Sequence, residues 1–269
     1  MSNTYIYSIG VIGSGVMGEA LVSAILKSGI ANSKLAISDK RVERTTELAA
    51  KYGCSVTSPE EIAGKAENIF LVVKPQDLDA LLESIGSKVS PNQRVISFVA
   101  GKKTSLIESF LLNSVPVLRV MPNTPMSVGV GASAISAGKF ASQIDTSAVE
   151  QLLKASGEVI VVDESLQDAV TATSGSGPAY FFRFVEAMIA GAQELGLSES
   201  DAKILVIQTI AGASEMLKED GASPTKLREN VTSPNGTTFA ALQVLESNDL
   251  ETIIKKAMRA ARDRSQELS

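Results

Sequence analysis

The 269-residue chain has no histidine, no tryptophan and a single cysteine, Cys54, and only 4% of its residues are aromatic. Each absence closes off a chemistry. Without imidazole there is no Ser-His-Asp or Cys-His relay, and almost no zinc chemistry. Cys54 has no histidine to activate it and no second thiol to pair with, so it reads as a small, semi-buried apolar residue in a protein of the reducing cytoplasm. No basic start followed by a hydrophobic signal region is visible, and no apolar run approaches the roughly 18 residues that span a bilayer. A net charge of −5 argues against a phosphate backbone as partner, and the scarcity of aromatics argues against base stacking. Neither membrane nor nucleic acid is expected as a partner. What remains is a globular composition, 44% hydrophobic and 20% charged, on a chain long enough for two moderate domains.

The first half alternates short apolar runs with helical patterns. Strands are expected at residues 5–12, 35–38, 68–73, 94–99 and 117–120, and helices at 18–27, 42–52, 77–85 and 105–112. That alternation implies a parallel sheet covered on both faces, an α/β doubly wound domain of Rossmann type. It closes with an irregular segment and a strand at 158–162. After Asp163 the strand signal stops. Amphipathic helices follow at 166–173, at 179–195 beyond a break at S-G-S-G-P, at 200–217, after Pro224, and at 238–264 with an interruption near 247–249. The chain thus divides into a doubly wound domain over 1–162 and an all-α domain over 163–269. The 200–217 helix is apolar around much of its girth, through Ala202, Ile204, Leu205, Val206, Ile207, Ile210 and Ala211. Such a helix must be buried on most sides, and a homodimer through this half would bury it.

The motif G-V-I-G-S-G-V-M-G carries Gly13, Gly15 and Gly18 in G-x-G-x-x-G spacing. It follows an expected strand, opens a helix, and precedes a second strand that ends in Ser38-Asp39-Lys40-Arg41, the context a dinucleotide fingerprint requires. The first glycine makes the turn, the second admits the pyrophosphate to the backbone, and the third brings helix and strand together. Asp39 would accept from a ribose hydroxyl and favour NAD; Ser38, Lys40 and Arg41 would hold the 2′-phosphate of NADP. Asp39 can also turn away to pair with a neighbouring base. NADP(H) is the expected cofactor, with NAD(H) open. V-V-K-P-Q follows the next strand: Lys74 meets a cofactor there or caps the preceding structure, while Pro75 stiffens the turn. Ala100-Gly101 ends another strand and lets a ligand come close. In R-V-M-P-N-T-P, two prolines hold Met121, Pro122 and Asn123 in a rigid loop, where Asn123 either offers its carboxamide to ribose or nicotinamide or simply forms the turn. In S-G-S-G-P-A-Y, Gly175 and Gly177 imply a kink or a close backbone contact.

The stretch V-T-S-P-N-G-T-T at 231–238 sets Thr232, Ser233, Asn235, Thr237 and Thr238 before an apolar helix. One capping side chain would suffice. The rest can be spare caps, or donors for a small anion at the positive end of a helix.

In this order, G-S-G-V-M-G, V-V-K-P-Q, R-V-M-P-N-T-P, S-G-S-G-P-A-Y and R-E-N-V-T-S-P-N-G-T-T resemble pyrroline-5-carboxylate reductases over essentially the whole length. The resemblance implies a Rossmann domain, a helical dimerisation domain and, in many members, assembly into decamers. It implies reduction of the cyclic imine Δ1-pyrroline-5-carboxylate to L-proline with NADPH or NADH. It assigns the dinucleotide to Ile12, Gly13, Ser14, Gly15, Val16 and Met17, to Ser38 through Arg41, and to Val73, Lys74 and Ala100. It sets Asn230 near the nicotinamide, Thr238 at the substrate ring nitrogen, and the N–H groups of Ser233, Gly236 and Thr237 on the carboxylate, with Glu164 close to the substrate. Asn235 stands where the family often has glycine, and asparagine tolerates the left-handed backbone such a turn needs. A protonated imine needs no strong acid from the enzyme, so a chain without histidine suits this chemistry. Two rivals exist. A β-hydroxyacid dehydrogenase would place a lysine behind the Gly-rich helix, where this chain has only Arg183, a poor base. A non-catalytic dinucleotide sensor would have no use for the carboxylate turn.

Overall fold

The computed structural model describes residues 5–219, 221 and 223–267. Strands β1 (Tyr7–Ile12), β2 (Leu35–Ser38), β3 (Ser55–Val56), β4 (Ala66–Leu71), β5 (Arg94–Ser97), β6 (Val117–Met121), β7 (Gly131–Ala137) and β8 (Gly157–Val161) form one sheet. Its order is β3-β2-β1-β4-β5-β6-β7-β8. The first six strands are parallel, β7 runs antiparallel to β6, and β8 parallel to β7. The chain leaves β1 in one direction to β2 and β3, then returns to the other side at β4. That reversal opens a crevice at the carboxyl ends of β1 and β4, where doubly wound sheets bind ligands.

Helices α1 (Val16–Lys27), α2 (Val42–Tyr52), α3 (Pro59–Lys65), α4 (Leu78–Ile85), α5 (Thr104–Phe110) and α6 (Gln143–Leu153) cover both faces. Strand residues alternate between two cores. Phe70 joins Leu21, Ile25, Leu48 and Val149 on one side, while Ile69 and Leu71 join Ile62, Leu82 and Ile107 on the other. Three elements stand where no regular element was expected. α3 starts at Ser58, whose side chain accepts from the Glu61 amide, with Pro59 at the first helical position. α6 starts with a reciprocal capping box between Ser142 and Asp145. β7 reads G-A-S-A-I-S-A, a run of small residues with little intrinsic strand preference that tertiary pairing imposes. Cys54 is buried, and burial pushes its thiol up.

The C-terminal part holds α7 (Gln167–Val170), α8 (Gly177–Glu194), α9 (Glu199–Lys218), α10 (Pro224–Asn230), α11 (Thr237–Ser247) and α12 (Leu250–Glu267). The chain forms two compact units, one reaching to Pro178 and rejoined by the chain from Ala261, the other Ala179–Ala260. The division between the compact units falls at 178/179, which leaves α7 in the unit that holds the sheet. Gln167 Nε2 donates to the Ala134 carbonyl and to Ser136 Oγ, and Ser265 Oγ donates to Asp168. Within 179–260 only Ala202 and Val206 are buried among the described residues, while Ile204, Leu205 and Ile207 of α9 are about half exposed or more. The expected burial of α9 is therefore not achieved inside one chain.

Candidate active site

The G-S-G-V-M-G loop joins β1 to α1, and its glycines divide the labour. Gly13 stands at φ 107° with its amide donating to the Ser38 carbonyl at 2.8 Å. A Cβ on it would lie 2.6 Å from the Val72 carbonyl carbon. A Cβ on Gly18 would lie 3.0 Å from the Gly13 carbonyl carbon, so helix and loop touch through backbone alone. A Cβ on Gly15 would meet nothing within 4 Å. Gly15 is the N-cap of α1 and has no side-chain capping bond, so the first amides of that helix face open space.

A cleft of about 760 Å³ lies here, lined by Ile12, Gly13, Gly15, Ser38, Asp39, Lys40, Arg41, Val73 and Lys74 among others. Nine of the expected cofactor residues therefore share one cavity. Val73 was expected inside a strand; β4 ends at Leu71, which releases Val72 and Val73 into the cleft wall. Ser14 is fully buried, with its hydroxyl on the Ser38 carbonyl. Val16 is exposed, Met17 packs into the core beneath, and Gly18 is buried against Gly13. Pro75 begins the turn that ends at Asp77. Ala100 and Gly101 follow β5, and Met121, Pro122 and Asn123 follow or end β6, on the same carboxyl edge but outside the cleft lining. Asn123 Oδ1 accepts from the Ala132 amide at 2.8 Å, which commits its carbonyl to holding β7. Just beyond α7, Thr171–Gly175 makes one π-helical turn closed by the Ser176 amide on the Thr171 carbonyl. It seats Gly175 against Met121, whose methyl would lie 2.5 Å from an added Cβ. S-G-S-G-P and M-P-N thus meet in the first unit.

Asp39 makes a local pair in the folded chain. Its carboxylate accepts from the Ser14 amide at 2.7 Å, the Arg41 amide at 3.0 Å and Arg41 Nε at 3.1 Å. Burial pushes this carboxyl up, but the hydrogen bonds from Arg41 and Ser14 outweigh burial and hold it below the usual range. Lys40 pairs with Asp77 at 2.6 Å. Arg44, which drew no attention in the sequence, donates Nε to the Ser14 carbonyl at 3.0 Å and ties the loop to Glu19. Glu19 also accepts from Lys51 and Tyr52, and the Lys51 and Arg44 hydrogen bonds hold its carboxyl down at about 2. Glu164 is likewise engaged: its oxygens accept from the Thr104 amide and hydroxyl, both at 2.8 Å, and Arg119 lies 3.7 Å away. It caps α5, whose own N-cap, Lys103, supplies no side-chain bond.

The second unit carries the other motif. Asn230 ends α10, and Asn235 sits at φ 59°, the left-handed geometry expected of it. Gly236 is the N-cap of α11 with no side-chain capping bond. Among the described residues the hydroxyls of Ser233, Thr237 and Thr238 make no hydrogen bond within the chain, whereas Thr232 bonds the Arg228 carbonyl. The hydroxyls of Ser233, Thr237 and Thr238 therefore do not serve as caps. No cluster of three potential metal ligands exists among the described residues, and no helix is long and apolar enough to cross a membrane.

Comparison with known proteins bears on this arrangement. The family model described as pyrroline-5-carboxylate reductase dimerisation matches residues 164–268, and that described as NADP oxidoreductase, coenzyme F420-dependent, matches 8–101. Pyrroline-5-carboxylate reductase 1 of Bacillus spizizenii is 40% identical over 84% of this chain and 77% of its own length. The chain belongs to the pyrroline-5-carboxylate reductase family. The solved pyrroline-5-carboxylate reductase of Coxiella burnetii superposes with a TM-score of 0.90 at 34% identity, over 98% of this chain and 99% of its own. The Plasmodium falciparum pyrroline carboxylate reductase, solved with NADP bound, gives 0.88 at 30% identity over 97% and 98%. The family's fold, a Rossmann-type domain followed by helices, is the fold observed.

Proposed function

We propose that this chain reduces the cyclic imine Δ1-pyrroline-5-carboxylate to L-proline with NAD(P)H, the last step in making proline. Family membership supports the reaction. The observation that carries the chemistry is the start of α11, where among the described residues the amides of Ser233 and Thr237 and the hydroxyl of Thr238 make no hydrogen bond within the chain, while the Gly236 amide donates to the Ser233 carbonyl at 3.0 Å. Amides at the positive end of a helix suit a carboxylate, and the Thr238 hydroxyl suits the ring nitrogen.

When bound, the nicotinamide supplies the hydride. The protein's share is orientation, because the imine carbon must come within roughly 3–3.5 Å of the donor. The α11 turn holds the acid group, Asn230 steadies the nicotinamide side, and Thr238 hydrogen bonds the nitrogen and relays a proton from solvent. In this reading Glu164 serves by fixing the start of α5, since both of its oxygens are already engaged by Thr104. The open face of Gly15 and the free amides of α1 fit a pyrophosphate. NADPH is favoured and NADH accepted: Lys40 and Arg41 both line the cleft, and the Plasmodium relative was solved with NADP. The helical unit pairs with a second copy, which would cover the exposed apolar residues of α8, α9 and α11, with further assembly to a decamer as the family resemblance suggests. A cytoplasmic setting accords with the single, buried thiol. The hydroxyacid alternative loses ground, because Arg183 is 77% exposed and paired with Glu186.

The test is oxidation of NADPH and of NADH with the imine as substrate. Thr238→Ala should lower kcat/KM on the order of 100-fold, the worth of a positioned proton-transfer group; an unchanged value would remove Thr238 from the mechanism. Nucleotide binding without turnover would favour the sensor.

A further inference from the structure

The nucleotide cleft is bridged by an ion pair that the reaction does not use. Lys40 follows β2 and Asp77 ends the turn after β4, so the two residues come from opposite walls of the cleft and both line it. Their charges meet at 2.6 Å, with side chains 79% and 33% exposed. Asp77 is held by its backbone: its amide donates to the Lys74 carbonyl at 2.9 Å, behind Pro75. Of the other cations lining the cleft, Arg41 is tied more firmly. Arg41 makes three bonds to Asp39, and Asp39 is anchored in turn by the Ser14 amide. Lys40 has one partner, at the cleft surface, and is therefore more readily released than Arg41.

We propose that Asp77 is a specificity-determining residue that sets the balance between NADPH and NADH. The proposal rests on reading the cleft as the dinucleotide site. A 2′-phosphate carries close to two negative charges and draws Lys40 away from Asp77. Asp77 then stands beside the phosphate with its own charge unpaired, and like charges at close range disfavour binding. A 2′-hydroxyl leaves the pair intact. Asp77 thus weakens NADPH and spares NADH, tempering the preference that Lys40 and Arg41 create.

The experiment is direct titration of the purified full-length protein with NADPH and NADH, by fluorescence or calorimetry, for wild type, Asp77→Asn, Lys40→Gln and the double variant. Asp77→Asn should tighten NADPH by about three- to fivefold, the worth of an exposed ion pair, and raise its affinity relative to NADH by that factor. In the Lys40→Gln background the same substitution should gain less, because no pair remains to compete with the phosphate, and raised salt should shrink the effect. If Asp77→Asn folds poorly, Asp77→Ser takes its place: it should likewise tighten NADPH relative to NADH. Equal changes for both nucleotides, no change, or weaker NADPH binding by Asp77→Asn would overturn the proposal. Because binding is read without turnover, a shifted ratio in a protein that fails to reduce the imine would sink the catalytic reading and leave Asp77 standing. Binding of neither nucleotide would sink both.

Discussion

A single methyl group should act in opposite ways at Gly15 and Gly18. On Gly18 the added carbon would sit 3.0 Å from the Gly13 carbonyl carbon and nearer still to its oxygen. Neither side can retreat easily. Helix α1 is locked by Leu21, Val22 and Ile25, each at most 1% exposed, and by Glu19 bound to Arg44 and Lys51. Gly13 is held by the Ser38 carbonyl and backed by Val72. Overpacking of this kind costs about 1–3 kcal/mol, and for a chain of this size about 2 kcal/mol lowers Tm by roughly 4–8 °C. On Gly15 the same methyl meets nothing within 4 Å, at φ −68°. There the loss of a favourable N-cap and the gain from a stiffer unfolded chain are both below about 1 kcal/mol and opposed, so Tm should hardly move. The methyl would instead fill the space the pyrophosphate needs. Losing one charge-assisted bond costs about 1.5–3 kcal/mol, or roughly 10- to 150-fold in Kd. Thermal melts of ligand-free protein with NADPH titrations separate the two effects: Gly18→Ala should lose stability, Gly15→Ala should lose only binding. A Gly15→Ala variant with wild-type Kd would refute the assignment of that space to the cofactor, and a Gly18→Ala variant with wild-type Tm would refute the steric reasoning.

Other outcomes follow from the same structure. Glu19 is depressed from 4.5 to about 2, so its contribution is complete above about pH 4.5 and lost as pH falls from there toward 2; discounted for a side chain 23% exposed, it amounts to about 1–2 kcal/mol. Urea titrations should show Glu19→Gln less stable than wild type at pH 7, with the gap closing on acidification. Arg119 is 5% exposed between Glu164 and Asp168, whose side chains are 24% and 21% exposed, and Arg119→Met should cost about 1–3 kcal/mol by taking the cation from these half-buried carboxylates, readable as a lower Tm. The helical unit buries only Ala202 and Val206 among its described residues. Melts across a wide range of protein concentration should therefore show Tm falling on dilution; a constant Tm together with a monomeric sedimentation coefficient would refute dimerisation.

Much of this protein is local in origin and was legible one segment at a time. G-S-G-V-M-G needs only its own glycines and the flanking apolar run to specify a strand, a tight turn and a helix start. V-T-S-P-N-G-T-T likewise carries its left-handed Asn235 and its helix start within a few residues. The order of motifs was enough to point to the family. What stayed hidden was set by partners far along the chain. The Ser14 amide that Asp39 accepts from is 25 residues away, and only folding brings Thr104 to Glu164 across 60 residues. β7 is a strand because β6 and β8 offer it hydrogen bonds, and its small residues alone would not choose that state. The sequence by itself determined where the glycine turn before α1 and the left-handed turn before α11 fall, since those depend on backbone freedom at single residues. Only the tertiary structure decided which charges are already paired, because pairing depends on distances that chain order does not encode.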